Sequence, residues 1–214
     1  MYSNYTTGTR VTMGDLFPAL FFSLLLATAG LYVGQSVPPA LFLPLMIVEI
    51  IMIVAAMFIR RRRVVGYGFL FTFSFISGIT LFPAIRDYVS HIGAPIVLQA
   101  FAVTVIAYGG AALYAGITKA DFSFLGGFLF IGLIALLGMG IVSFFFPFSR
   151  TADWVYTLLG VFIFLGYTLY DFSRVVRYGV SREEVPMVVL SLYLNFVNLF
   201  LFILRLFGLN LKRD

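Results

Sequence analysis

Seven long apolar runs, separated by short polar connections, dominate the hydrophobic pattern of this chain. A helix needs about 20 apolar residues to cross a bilayer, because each residue adds roughly 1.5 Å along its axis. The pattern predicts an all-α integral membrane protein, a seven-transmembrane-helix bundle in which residues 1–214 form a single membrane domain. The predicted helices lie near residues 16–34, 39–59, 65–86, 93–117, 122–146, 153–173 and 185–207.

Composition agrees with this pattern and excludes a soluble domain. Hydrophobic residues make up 62% of the 214 positions and charged residues 11%, whereas soluble domains are about half apolar and a quarter charged. The chain contains no cysteine, which excludes disulfides and thiolate chemistry. Its net charge of +5 comes mostly from residues that flank the apolar runs, so the charge indicates membrane topology and not nucleic-acid binding.

The distribution of lysine and arginine predicts the orientation of the chain. A cytoplasmic N-terminus and an outside C-terminus put nine basic residues inside and five outside, as the positive-inside rule requires. The inside set is Arg10, Arg60, Arg61, Arg62, Arg63, Lys119, Arg174, Arg177 and Arg182. The outside set is Arg86, Arg150, Arg205, Lys212 and Arg213.

Polar residues inside the last two apolar runs are the strongest functional signal. Asp171 interrupts the sixth run, and the seventh carries Ser191, Asn195, Asn198 and Arg205, whose spacings of about 4, 3 and 7 place them on one helical face. An ionisable residue in hydrocarbon costs about 2.5–3.5 kcal/mol on insertion scales, so it marks a functional site by default. We expect Asp171 and Asn195 to lie within direct or one-water hydrogen-bond reach.

An acid and a basic residue of the second run extend this polar set. Glu49 precedes Arg60 by eleven residues, which is close to three helical turns, so both share a face. Glu49, Asp171, Asn195 and Asn198 are predicted to line an ion path, with Glu49 and Asp171 as tentative Ca²⁺ ligands. Arg60 is expected at the inner membrane edge, where an ionised Asp171 would seek a guanidinium, so we assign it to the gate.

Each polar residue also has a purely structural interpretation. Asp171 could form a local ion pair with Arg174, one turn away. Arg60 could serve topology alone, as one of four consecutive arginines. The asparagines of the last run could simply bond neighbouring helices. Arg205 is expected to snorkel to the outer interface.

Missing residue types exclude several membrane functions. A retinal protein needs a lysine within a membrane helix, but Lys119 and Lys212 both lie outside the apolar runs. One histidine, His91, cannot provide bis-histidine haem ligation. An intramembrane serine protease would need a histidine partner for Ser77, and no acid pair has the motif of an aspartyl protease. The sequence therefore predicts a protein that is not an enzyme and has no resident cofactor.

Two stretches resemble the last two helices of a known family. Residues 167–175 read YTLYDFSRV and residues 191–208 read SLYLNFVNLFLFILRLFG. They resemble the corresponding segments of the Bax inhibitor-like (TMBIM) family, whose seven short-looped helices fit nearly the whole chain. The short N-terminal segment is similar to that of bacterial members, which implies a bacterial plasma membrane. The resemblance implies a pH-sensitive calcium leak that carries Ca²⁺ and responds to H⁺. The predicted partners are the lipid bilayer and these two ions, with no nucleic acid; the oligomeric state and the physiological partners stay open, and a monomer is compatible.

The resemblance also identifies a departure at the pH sensor. In the family, an acid on helix six and an acid on helix seven form a pair that shares a proton and titrates as a unit. Asp171 matches the first acid, but Asn195 stands where the family pattern has Asp. An amide cannot ionise, although it can donate a hydrogen bond to an ionised carboxylate. We expect the fold to tolerate asparagine at position 195. We do not expect the proton sharing between two acids to be retained.

Two other function classes use the same buried acids. A proton-coupled secondary transporter would combine them with alternating access. A non-conducting interaction or regulatory protein would use them only to join helices. Ion flux into liposomes separates these classes, because a leak needs no counter-transported solute and an interaction protein gives no flux.

Overall fold

The computed structural model of the chain describes residues 11–59, 65–118 and 120–211. Within these ranges it contains seven α-helices, each long and apolar enough to cross a membrane. The predicted all-α, seven-helix membrane class is therefore confirmed. The helices are α1 (Met13–Gly34), α2 (Phe42–Ile59), α3 (Tyr67–Ile92), α4 (Ala94–Thr118), α5 (Leu125–Phe145), α6 (Arg150–Tyr178) and α7 (Val185–Leu211).

Several helix ends differ from the predicted limits of 65–86 for α3, 153–173 for α6 and 185–207 for α7. All three helices run further, to Ile92, Tyr178 and Leu211. Hydropathy marks the edge of the hydrocarbon, whereas backbone hydrogen bonding continues into the polar interface, so an apolar run underestimates helix length.

The other four helices differ at one or both ends. Residues 39–41, predicted as the start of α2, form a separate 3₁₀ turn after Pro38. Helices α4 and α5, predicted at 93–117 and 122–146, span Ala94–Thr118 and Leu125–Phe145. Helix α1, predicted from residue 16, starts at Met13, because Asp15 accepts hydrogen bonds from the backbone N–H and hydroxyl of Thr12, both at 2.8 Å. This N-terminal capping adds a first turn that the apolar run does not reveal.

The described residues divide into two compact units. The first comprises the residues up to Pro83 together with Tyr178–Tyr193, and the second comprises Ala84–Arg177 together with the residues from Leu194 onward. Helix α7 contributes its first part to one unit and its remainder to the other. The organisation of the chain as a single membrane domain stays a prediction.

In the first unit, α1 and α3 pack closely at glycines. A Cβ added to Gly30 would meet the backbone of Phe75, and one added to Gly78 would meet the backbone of Ala27. Small residues allow such close approach of helices in lipid, where packing replaces the hydrophobic effect as the driving force. This contact fixes the position of α3 against α1.

A short backbone bridge joins the start of α1 to the loop between α6 and α7, also in the first unit. The Val11 N–H donates to the Val180 carbonyl at 2.8 Å, and both side chains are buried. Gly179, which precedes the bridge, has a φ of 68°, a left-handed conformation that favours glycine. The bridge places the segment before α1 and the α6–α7 loop on the same side of the membrane.

Helix α7 is much more buried than the other helices. Of its apolar window 56% is buried within the protein, compared with 6% for α2 and 11% for α5. Its fully buried side chains include Leu192, Tyr193, Leu199 and Leu204. The polar residues of α7 therefore face a protein environment in which each of them needs a partner.

Candidate functional site

The acid of α6 and the amide of α7 are in direct contact within the second unit. Asn195 Nδ2 donates a hydrogen bond to Asp171 Oδ2 at 2.9 Å. Asn195 is 6% exposed and Asp171 is half-buried. The expected adjacency of these two side chains is confirmed, while their role as a sensor stays a prediction.

Three aromatic side chains pack together close to this pair. Tyr108 of α4 packs edge-on against Phe172, with ring centroids 5.6 Å apart, and against Phe196 at 5.3 Å. These two phenylalanines directly follow Asp171 and Asn195 in the chain. Their rings lower the local dielectric, which strengthens a satisfied hydrogen bond and raises the cost of an unpaired charge.

Several polar groups lie around the Asp171 carboxylate. Tyr108 on α4 and Tyr167 on α6 are close enough to interact with its charge. The guanidinium of Arg174 lies over the Tyr170 ring, 5.4 Å from its centroid. Within the described ranges, Arg174 therefore stacks on an aromatic ring and makes no ion pair with Asp171.

The side-chain oxygen atoms of Asp171 and Asn195 are of the kind that hard cations such as Ca²⁺ bind. Because Asn195 donates through its nitrogen, the contact brings the carboxylate oxygens of Asp171 and the side-chain carbonyl oxygen of Asn195 close together. Carboxylate and amide oxygens are the usual ligands of Ca²⁺. No group of three or more His, Asp or Glu side chains suited to a metal occurs in the part of the chain that the structure describes. A cation here would meet one carboxylate and neutral oxygens.

Two predicted site residues remain without a test of their role. Arg60, assigned to the gate, lies outside the described residues. Asn198, assigned to the ion path, donates through Nδ2 to the Leu194 carbonyl of its own helix at 2.8 Å. Both assignments stay predictions.

Glu49 of α2 has a partner that the sequence did not indicate. In the first unit, its Oε2 lies 2.6 Å from the hydroxyl oxygen of Thr80 on α3. Thr80 lies three residues after Ser77 and six after Ser74, so a regular row of hydroxyls on α3 was visible in the sequence. The row alone does not tell which neighbouring helix it faces. The tentative role of Glu49 as a Ca²⁺ ligand stays a prediction.

A second polar contact joins α6 and α7, and it involves Arg205, which was expected to snorkel to the outer interface. Arg205 Nε donates to Asp153 Oδ1 at 3.0 Å, and its Nη2 contacts the same oxygen. Its guanidinium also lies 4.9 Å from the centroid of the Tyr156 ring. Arg205 thus has a carboxylate partner within the second unit, which the snorkelling interpretation missed. Asp153 in the first turn of α6 was the available signal, because it follows the outer loop directly.

Near the other end of α6, Arg177 pairs with Asp121 of the α4–α5 loop. The shortest distance between their charged atoms is 3.5 Å, and both side chains are exposed. Hydrogen bonds from the Ser123 hydroxyl and backbone N–H, together with the charge of Arg177, hold the pKa of Asp121 below its usual value. This exposed pair contributes little to stability.

Comparison with known proteins gives a consistent result. Residues 9–212 match the family described as Bax1-I, inhibitor of apoptosis-promoting Bax1. An uncharacterized protein of Campylobacter jejuni is 34% identical over 86% of this chain and 82% of its own length. Bax inhibitor 1 of Schizosaccharomyces pombe is 36% identical over 70% of this chain and 54% of its own length. The inner membrane protein YbhL of Escherichia coli K12 is 30% identical over 74% of this chain and 70% of its own length.

Proposed function

The chain belongs to the Bax inhibitor family of membrane proteins, and from this premise we propose that it is a pH-sensitive calcium leak of a bacterial plasma membrane. The N-terminus would be cytoplasmic and the C-terminus outside. The observation that carries the proposal is the 2.9 Å hydrogen bond between the buried Asn195 amide and the half-buried Asp171 carboxylate. An ionisable group that bonds two membrane helices together is a suitable place for protons to control helix contact.

The proposed response to pH follows from the two protonation states of Asp171. A protonated Asp171 carries no charge and can donate its own proton to the Asn195 carbonyl oxygen while accepting from the amide, so α6 and α7 are held together. An ionised Asp171 can no longer donate to the Asn195 carbonyl oxygen, and it introduces a charge at the contact between α6 and α7. That charge attracts water and a cation, which separates the helices. The leak therefore increases as pH rises.

The chemistry of the pair suits Ca²⁺ as the transported ion. Ca²⁺ binds hard oxygen ligands, and a carboxylate beside an amide carbonyl supplies two kinds of them. One carboxylate does not neutralise a divalent ion, so binding at this point is weak. Conduction needs binding that is strong enough to admit an ion and weak enough to release it.

Arg60 is proposed as the cationic part of the gate on charge grounds alone. Arg60→Ala removes a positive charge that opposes entry of a divalent cation from the cytoplasmic side. When Asp171 is ionised, we expect the Arg60→Ala variant to leak more Ca²⁺ than the unchanged protein. Calcium flux into liposomes measures this difference. An unchanged or lower leak in a normally folded variant would show that Arg60 serves only topology.

Liposomes loaded with a calcium indicator test the function directly. We expect Ca²⁺ to enter liposomes that contain the protein, down its gradient and without any counter-transported solute. Asp171→Asn removes the ionisable group with little change in shape, so its flux is expected to be independent of pH. Flux equal to that of protein-free liposomes would eliminate the leak and favour the interaction protein. Flux that requires an opposing proton gradient would instead identify a secondary transporter.

A further inference from the structure

A second set of oxygen atoms lies between membrane-spanning helices of the first unit. Glu49 is placed seven residues after the first residue of α2, so its carboxylate is far from either end of the helix. It is half-buried, and its Oε2 lies 2.6 Å from Thr80 Oγ1 on α3. A carboxylate at this depth requires a proton, water or a cation to offset its charge.

The oxygen set continues along α3. Thr80 Oγ1 is also 3.0 Å from the carbonyl oxygen of Ser77. The Tyr193 hydroxyl of α7 donates to the Ser74 carbonyl oxygen at 3.5 Å, and Ser77 follows Ser74 by three residues on α3. Tyr193 and Ser74 are fully buried, and Ser77 is nearly so. We call Glu49, Thr80, Ser77 and Tyr193 together the hydroxyl site.

Packing holds this set in place. The Tyr193 ring meets Phe73 edge-on, with centroids 6.1 Å apart, which fixes the direction of its hydroxyl. On α3, Gly78 packs closely against the α1 backbone at Ala27, which positions the helix that carries Ser77 and Thr80. Preorganised oxygens lose little entropy when an ion arrives.

We propose that the hydroxyl site is a second binding station for Ca²⁺, separate from the Asp171–Asn195 pair, with Glu49, Thr80 Oγ1 and the Ser77 carbonyl as its ligands. The inference deepens the proposed calcium leak and rests on it for the identity of the ion. Thr80 is the residue that completes the station, because its hydroxyl oxygen lies within hydrogen-bond distance of both other ligands.

The spacing of these oxygens fits a calcium shell. Ca²⁺ holds its ligands at roughly 2.3–2.6 Å, so neighbouring oxygens in the shell are about 3 Å apart. The two measured separations, 2.6 Å and 3.0 Å, are close to this value. One carboxylate with neutral oxygens again gives weak Ca²⁺ binding. Two weak binding stations favour conduction, because the ion must be released from each of them.

Terbium luminescence provides a test that does not depend on flux. Tb³⁺ replaces Ca²⁺ at oxygen sites and emits when a nearby tyrosine absorbs light, and Tyr193 belongs to the site. The purified full-length Asp171→Asn variant serves as the background, so that the other station makes no contribution. We expect tyrosine-sensitised emission that added Ca²⁺ suppresses, and Glu49→Gln should abolish it.

Two further variants keep the test decisive if Glu49→Gln does not fold. Thr80→Val keeps the side-chain shape and removes one ligand, so the apparent Ca²⁺ affinity should fall about tenfold. Tyr193→Phe should lower the emission and leave the competing Ca²⁺ concentration unchanged. Thr72→Val is the matched control, because Thr72 is an exposed threonine on the same helix.

The outcomes separate this inference from the proposed function. Emission that is absent, that survives Glu49→Gln, or that responds equally to Thr80→Val and Thr72→Val overturns the station. A calcium leak that persists in such a case leaves the proposed function intact. Terbium binding with the expected variant pattern in a protein that passes no Ca²⁺ would instead support the station and reject the leak.

Discussion

The two polar contacts between α6 and α7 differ in charge balance. Asp153 and Asp171 are 18 residues apart, which is five helical turns, so both lie on the same face of α6. Asp153 meets the guanidinium of Arg205, whereas Asp171 meets the neutral amide of Asn195. One contact is therefore an ion pair, and the other is a hydrogen bond between a carboxyl group and a neutral amide.

This difference assigns separate roles to the two contacts. A carboxylate paired with a guanidinium keeps its charge over a wide pH range, because arginine does not lose its proton in proteins. A carboxylate paired with an amide can exist in either protonation state with its hydrogen bonds satisfied. The Asp153–Arg205 contact should hold the two helices together, and the Asp171–Asn195 contact should respond to pH.

Removal of the guanidinium should produce the largest loss of stability. Arg205→Ala leaves the partly buried Asp153 carboxylate without its cation, and we expect the free energy of unfolding to fall by about 2 kcal/mol. Unfolding in mixed micelles with increasing denaturing detergent measures the loss. The pH midpoint of calcium flux should stay where it is. A shifted midpoint with unchanged stability would reverse the two roles.

Removal of the amide should have a smaller effect on stability. Asn195→Leu keeps a similar volume and deletes the donor to Asp171, so we expect a loss of about 1.5 kcal/mol at neutral pH. The same unfolding assay at acidic pH should show a smaller loss, because a protonated Asp171 is easier to leave in an apolar site. A loss that does not change with pH would mean that Asp171 keeps one protonation state throughout.

The smallest expected effect concerns the loop that joins the two helices. Val11→Pro removes the N–H that bonds Val180 and keeps an apolar side chain, so a loss of about 1 kcal/mol is expected. Val11→Ala, which keeps the N–H, is the matched control for the side chain. Equal losses in both variants would show that the backbone bond contributes nothing and that side-chain packing alone anchors the loop.

The sequence predicted the parts of this fold that hydrophobic periodicity determines. Seven apolar runs gave seven helices, and the shared face of α7 led to the contact between Asn195 and Asp171. The partner of Glu49 was not predictable in this way. Helix α2 has a mean hydropathy of 2.4 over its apolar window and is apolar on every side, so its rotation about its own axis is not fixed by its sequence.

Helix ends and the ion pair of Arg205 were missed for a related reason. Asp153 is the first residue of the predicted helix 153–173, and the sequence does not indicate that it meets Arg205. The helix continues to Arg150, which brings Asp153 inside the first turn. Polar residues at the edge of an apolar run belong to the helix as often as to the loop, and only packing decides which.

Calcium flux between about pH 5 and pH 8, measured for the Asn195 chain and for Asn195→Asp in matched liposomes, tests the central claim most directly. In the variant, two carboxylates share a proton, and the second ionisation meets the charge of the first. We expect opening in the variant to be steeper and shifted to higher pH, whereas the Asn195 chain should open more gradually and at lower pH. Superimposable curves for the two proteins would contradict the assignment of this contact as the pH sensor.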